Sequence, residues 1–177
     1  IRRGLPYKVV GGTKFYERRE IKDALAYLRS ISNPEDDVSV RRILNTPRRG
    51  IGDKAEEAVA GFARRERITF SAALNRLPEI HTLPTRSATA LNEFNRLLEN
   101  LRTLDESGAG PSSILVAAME ASGYLIELTA SKDPQDEVRV ENIAELENVT
   151  REYEEQFTED NESDEVATLS NFLERVS

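Results

Sequence analysis

The chain has 177 residues, 38% hydrophobic and 32% charged, with 24 Lys and Arg against 32 Asp and Glu for a formal net charge of −8. That length accommodates one ordinary domain with a real core, and so much charge beside only 6% aromatic residues favours helices over a β-sandwich. The absence of cysteine excludes disulfides, thiolate zinc sites and a cysteine nucleophile.

Taken in order, Pro6-Tyr-Lys-Val-Val10 is a short β-prone run closed by Gly11-Gly12, and it predicts one strand. A lone strand cannot satisfy its ladder hydrogen bonds, so its sheet partners are expected elsewhere in a longer protein. The opening Ile1-Arg-Arg is neither a start methionine nor a signal peptide, and the chain reads as a piece of a longer cytosolic protein. From Phe15 to Ser32 the spacing predicts a helix with Ile21, Ala24, Leu25 and Leu28 on one face, stopped by Asn33-Pro34. A second short helix is predicted from Asp37 to Leu44, ending before Thr46-Pro47.

The tight connection Arg48-Arg-Gly-Ile-Gly-Asp53 follows, then a helix over Lys54 to Arg65. Asp53 is the expected N-cap, with Glu56 completing a capping box. A helix over Thr69 to Arg76 leads into a loop around Pro78, His81 and Pro84. Residues 85–104 give the clearest amphipathic helix, with Leu91, Phe94, Leu98 and Leu101 at spacings of three and four. Ser107 to Pro111 is a break, and Ser112 or Ser113 is expected to cap a helix running to Gly123. A long helix over Asp136 to Phe157 buries Ile143, Leu146, Val149 and Tyr153. Thr158 to Glu165 reads as an exposed acidic loop, and Leu169, Phe172, Leu173 and Val176 mark a last helix. The expected class is all-α, with a helix-hairpin-helix-like element and one short N-terminal strand.

The longest apolar run, Ile114 to Met119, is six residues, too short to span a membrane, and no membrane partner is expected. The net charge hides a division. Residues 1–104 carry 20 Lys and Arg against 13 Asp and Glu, whereas residues 105–177 carry 4 against 19. The division fits a basic working surface beside an acidic one, and equally two oppositely charged solvated faces.

Most of the chemistry lies around Gly50-Ile51-Gly52. Glycines there permit φ > 0 and close approach of a phosphate, and Ile51 can pin the turn into the core. The helix that follows presents free N–H groups and its positive dipole end, while Arg48, Arg49 and Lys54 add charge. The same residues also fit a plain helix–helix turn. The acidic clusters Glu35-Asp-Asp37 and Glu159 to Glu165 lack calcium-loop spacing. His81 has no nucleophile or carboxylate partner, and no Gly-x-x-x-x-Gly-Lys-Ser/Thr loop is present, so no catalytic or metal site is expected.

The stretch Leu5-Pro-Tyr-Lys-Val-Val-Gly-Gly-Thr-Lys-Phe-Tyr-Glu-Arg-Arg-Glu-Ile-Lys-Asp23, continuing through Ala24-Leu-Ala-Tyr-Leu-Arg29, resembles the motif IV region of UvrD/PcrA-type superfamily 1 DNA helicases. The likeness continues through Asn33-Pro-Glu-Asp-Asp37 and Arg42-Ile-Leu-Asn-Thr-Pro-Arg-Arg-Gly-Ile-Gly-Asp53. It returns at Arg139-Val-Glu-Asn-Ile-Ala-Glu-Leu146 and Thr168-Leu-Ser-Asn-Phe-Leu173, and is diffuse between Glu66 and Gln135. The resemblance implies residues 1–32 as the junction with a RecA-like 2A domain and residues 33–177 as a helical 2B subdomain, truncated at its C-terminal end. It implies a parent that is an ATP-dependent 3′–5′ DNA helicase of repair or replication, using ATP and Mg²⁺ held outside this chain. By itself the chain would then neither hydrolyse ATP nor unwind DNA.

The DNA-contacting residues it implies are Thr46, Arg48, Arg49, Gly50, Ile51, Gly52 and Lys54, acting on duplex near a single-strand junction without sequence preference. Gly11, Gly12, Phe15, Tyr16, Glu17, Arg18, Glu20, Lys22 and Asp23 would couple the insertion to the RecA-like core. Partners implied are the rest of the helicase and repair or transcription proteins. The alternative is an acidic protein-interaction or autoinhibitory module with little DNA affinity of its own.

Overall fold

A computed structural model describes residues 12–160 and 165–177. The strand expected at Pro6 to Val10, with Gly11, lies outside the described residues. The rest is all-α: α1 (Gly12–Glu17), α2 (Arg19–Ser32), α3 (Asp37–Ile43), α4 (Asp53–Glu66), α5 (Phe70–Leu74), a 3₁₀ turn (Leu77–Glu79), α6 (Thr85–Glu106), α7 (Pro111–Ala121), α8 (Tyr124–Ala130), α9 (Pro134–Asp160) and α10 (Leu169–Val176).

Helix α2 is the spine. It packs against α1, α3, α6, α7, α9 and α10, and Ile21, Ala24, Leu25, Tyr27, Leu28 and Ile31 are all buried. The single helix expected over Phe15 to Ser32 is instead broken at Arg18, whose backbone is extended (φ −66°, ψ 142°). On one straight helix Phe15 and Ile21 would point roughly 120° apart. The break lets both enter the core, at 3% and 0% exposure. Neither Gly nor Pro marks the position; packing sets it.

The stop at Asn33 is as the sequence predicts. Its N–H donates to the Arg29 carbonyl at 2.8 Å, and its side chain accepts from the Glu35 N–H at 3.0 Å. The acidic cluster that follows works locally. Asp36 caps α3 by accepting from the Ser39 N–H (3.1 Å) and hydroxyl (2.8 Å), and Asp37 accepts from the Phe70 N–H at 3.1 Å. These bonds tie α3 to α5 and place the turn that joins α3 to α4.

Three expectations are corrected. Helix α7 is not capped by Ser112 or Ser113: it starts with Pro111 after an N-cap Gly110. A further helix, α8, follows Gly123 (φ 82°) where the sequence reading has none. And α9 runs on through Thr158 to Asp160, which the sequence reading assigns to a loop. Behind α2, the Arg102 guanidinium from α6 donates to the Ser30 carbonyl at 3.0 and 3.2 Å, holding the two helices at a buried contact.

Candidate nucleic-acid interface

The turn between α3 and α4 is assembled from the inside. Ile51 is 3% exposed and belongs to the core, as its place between two glycines predicts. Asn45 organises the backbone around it: its Oδ1 accepts from the Arg49 N–H (2.6 Å) and the Ile51 N–H (3.3 Å). A side-chain amide oxygen satisfying two turn donors replaces the backbone bonds that the helices cannot supply here. Gly50 sits at φ +80°, a left-handed conformation that strains any residue with a Cβ. Gly52 has an ordinary extended backbone (φ −84°, ψ 178°) and opens α4 as its N-cap.

Arg49 is turned inward. Its Nη1 donates to the Ile43 carbonyl (2.7 Å) and the Leu44 carbonyl (3.1 Å), and its Nη2 donates to the Tyr27 hydroxyl. The guanidinium also lies 5.1 Å from the centre of the Phe94 ring, a cation–π contact. Tyr27 completes the latch by donating its hydroxyl to the Thr46 carbonyl. Burial pushes the Tyr27 phenol above its ordinary value, the charge and hydrogen bond of Arg49 only partly opposing this. A residue that the sequence offers as surface charge therefore closes the end of α3, whose last carbonyls have no helical partner. Asn45, Tyr27 and Phe94 are missed by sequence reasoning. An Asn just before Thr-Pro is a turn signal that points to the first; nothing local points to the other two.

The outward set is smaller. Arg48, Gly50, Gly52 and Lys54 are exposed, and Thr46 is half-buried with its hydroxyl on the Arg42 carbonyl (3.3 Å). Neither Arg48 nor Lys54 makes a hydrogen bond or ion pair among the described residues. Beside them lies the start of α4, where no side chain caps the free N–H groups. The expected capping box does not form. Asp53 is the first residue of the helix rather than its N-cap, and Glu56 binds Arg41 of α3 at 2.7 Å. That ion pair clamps the two helices together across the turn.

Of the residues assigned to domain coupling, Gly12 opens α1, and Phe15, Glu20 and Asp23 are buried. Glu17, Arg18 and Lys22 are exposed, and Tyr16 is half-buried with its hydroxyl unpartnered. Desolvation pushes the Tyr16 phenol up to about 12. Glu20 accepts from the Asn142 amide of α9 at 2.7 Å. Asp23 accepts from Arg42 Nε of α3 (3.0 Å) and from the Tyr124 hydroxyl of α8 (2.7 Å). One turn of the spine thus joins both charge regions. Among the described residues no group of three or more His, Asp and Glu side chains is arranged to hold a metal, and His81 is exposed.

The UvrD-like helicase C-terminal domain family matches residues 1–177. The chain belongs to this family of helicases. Because the match runs through residues 66–135 as well, the likeness is continuous where the motifs thin out. The chain is similar to the ATP-dependent DNA helicase UvrD1 of Mycobacterium tuberculosis, with 43% identity over 186 residues, covering 100% of this chain and 24% of the relative. It is 38% identical over 154 residues to the ATP-dependent DNA helicase PcrA of Bacillus subtilis, covering 87% of the chain and 21% of the relative. It is 34% identical over 174 residues to DNA helicase II of Escherichia coli, covering 98% and 23%. The chain therefore spans about a quarter of the length of these relatives.

Proposed function

We propose that this chain is the duplex-contacting helical insertion of an ATP-dependent 3′–5′ DNA helicase, with the α3–α4 turn as its DNA-facing element. The observation that carries the reading is the division of labour within that turn. Arg49, Asn45 and Ile51 fix it from inside, while Arg48 and Lys54 stand outside, without partners among the described residues, at the uncapped start of α4. Unpaired cations beside free backbone N–H groups suit phosphate oxygens, and nothing in the set reads a base edge.

Residues 1–32 are the proposed junction with a RecA-like domain, residues 33–177 the helical subdomain. Relatives named as ATP-dependent support a nucleotide-driven parent. The chain has no Gly-x-x-x-x-Gly-Lys-Ser/Thr phosphate-binding loop sequence. Nucleotide chemistry is accordingly assigned to the rest of the parent protein.

Salt-titrated binding to a duplex with a 3′ single-stranded tail tests the reading. Affinity on the order of 10⁻⁴ to 10⁻⁶ M, falling steeply with salt and indifferent to sequence, is expected. Absence of any salt-dependent binding would overturn it.

A second reading rests on α9, where Glu137, Glu141, Glu145, Glu152 and Glu155 are exposed on one long helix. There the acidic half engages a basic protein partner or restrains the parent enzyme. Binding of a basic protein that survives saturation of the hairpin with duplex would favour it.

A further inference from the structure

Beside the turn lies a cleft of about 400 Å³ that the sequence does not announce, because one wall is the unforeseen helix α8. Three arginines from three separate elements line it: Arg19 from the first turn of α2, Arg42 from the last turn of α3, and Arg48 from the hairpin. Its carboxylates are Asp23 and Glu127.

Asp23 offsets one of the three charges but has no acceptor to spare for the other arginines. It is buried, and its two oxygens already accept from Arg42 Nε and from the Tyr124 hydroxyl. Arg42 engages Asp23 through Nε alone, which leaves its Nη groups without partners among the described residues. Arg19 makes no hydrogen bond or ion pair there, and neither does Arg48. Glu127 is exposed on the rim, also unpaired among the described residues.

Three guanidiniums outnumber the two carboxylates that line the cleft, so a further anion is attracted to it. The planar fork of arginine matches two oxygens of one phosphate. The cleft is also continuous with the turn, because Thr46, Pro47 and Arg48 line both. Arg48 thus belongs both to the outer face of the turn and to the wall of the cleft.

We infer that this cleft is a second seat for the phosphodiester backbone, in which Arg19 and Arg42 grip a strand that has passed the hairpin. The inference rests on the DNA-facing reading of the turn. It adds two residues that the resemblance assigns no such role, and it gives α8 a purpose: Tyr124 anchors the cleft floor through Asp23.

The test is the salt dependence of duplex affinity for Arg19→Ala, Glu127→Lys and Glu152→Lys, the last an exposed α9 site outside the cleft with the same charge change. Arg19 has no side-chain hydrogen bond to lose, so its variant folds. Arg19→Ala is expected to weaken binding several-fold and lower the slope of log affinity against log salt by about 0.9. Glu127→Lys should raise the slope by a similar amount, and Glu152→Lys should leave it unchanged.

If Arg19→Ala and Glu127→Lys leave the slope unmoved while Arg48→Ala with Lys54→Ala lowers it, the cleft inference is overturned and the hairpin reading stands. If Arg48→Ala with Lys54→Ala also leaves the slope unmoved, the hairpin reading fails and the cleft inference falls with it. Inorganic phosphate that binds the chain through Arg19, with no change in duplex affinity for the Arg19 variant, would mark a free-phosphate site and overturn the backbone assignment.

Discussion

Helices α4 and α7 begin alike and end up doing different things. Each starts at a glycine N-cap whose own residue supplies no side-chain hydrogen bond. At α7 the protein provides its own anion. Glu154 of α9 accepts from the Ser112 N–H (3.0 Å) and the Ser112 hydroxyl (2.8 Å), so the helix start is closed by a carboxylate. At α4 no side chain among the described residues does this, and the exposed Arg48 and Lys54 stand beside it together with Asp53, the first residue of the helix. An internal carboxylate makes a helix terminus structural; cations around an uncapped one leave it suited to an external phosphate. The contrast runs through the molecule, since the capping Glu154 belongs to the acidic half and the uncapped start to the basic half.

The largest effect should come from breaking the turn's inner support. Arg49→Ala removes three hydrogen bonds and the Phe94 contact and takes the side-chain donor from the Leu44 carbonyl, for a loss of about 2–4 kcal/mol in urea unfolding. Arg49→Lys should recover little, because an ammonium cannot reproduce the fork. Stability lost at Arg49 without loss at Arg48 would establish that adjacent arginines serve opposite sides of the turn.

Next is the α7 start. A Cβ at Gly110 would lie 2.4 Å from Glu154 Oε2, so in Gly110→Ala this carboxylate must shift, which weakens its hold on the helix start. The expected cost is about 1 kcal/mol, the usual value of a lost cap. Glu154→Gln should cost a similar amount, and in a double-mutant cycle the two losses should not add. Duplex affinity should not change in either.

Arg48→Ala with Lys54→Ala inverts that pattern. Stability should stay within about 0.5 kcal/mol, because neither side chain has a partner among the described residues. The smallest effect is alkaline. Burial raises the phenols of Tyr16, Tyr27, Tyr124 and Tyr153 in the folded state. Their neutral form favours folding, so this stability is fully present below pH 10 and is lost as pH rises through the folded values, about 12 for Tyr16. Phenolate absorbance should therefore appear later in the folded chain than in urea, and thermal stability should decline from about pH 10 upward.

Much of the helical fold was legible because its cause is local periodicity. Leu91, Phe94, Leu98 and Leu101 are all buried as their spacing requires, and so are Ile143, Leu146, Val149 and Tyr153. Features decided by distant partners were not. Arg49 reads as free charge until Tyr27, 22 positions away, is brought beside it. Asp53 and Glu56 satisfy the capping-box pattern, yet Arg41 takes Glu56 and the cap moves to Gly52. Helix α8 escaped notice because it is seven residues long, begins at a glycine in a left-handed conformation and leaves Ile126 70% exposed. In the turn itself, the glycines and Ile51 carried a readable signal. Which of the two arginines faces out did not.

The central claim is that the outer face of the α3–α4 turn meets backbone phosphate while its inner face only supports it. The salt slope of duplex binding, measured for the unaltered chain and for Arg48→Ala with Lys54→Ala at matched stability, tests it most directly. The slope should be smaller by about two for the variant, one per lost phosphate contact, with no change in unfolding midpoint. An unchanged slope in a fully folded variant would contradict it.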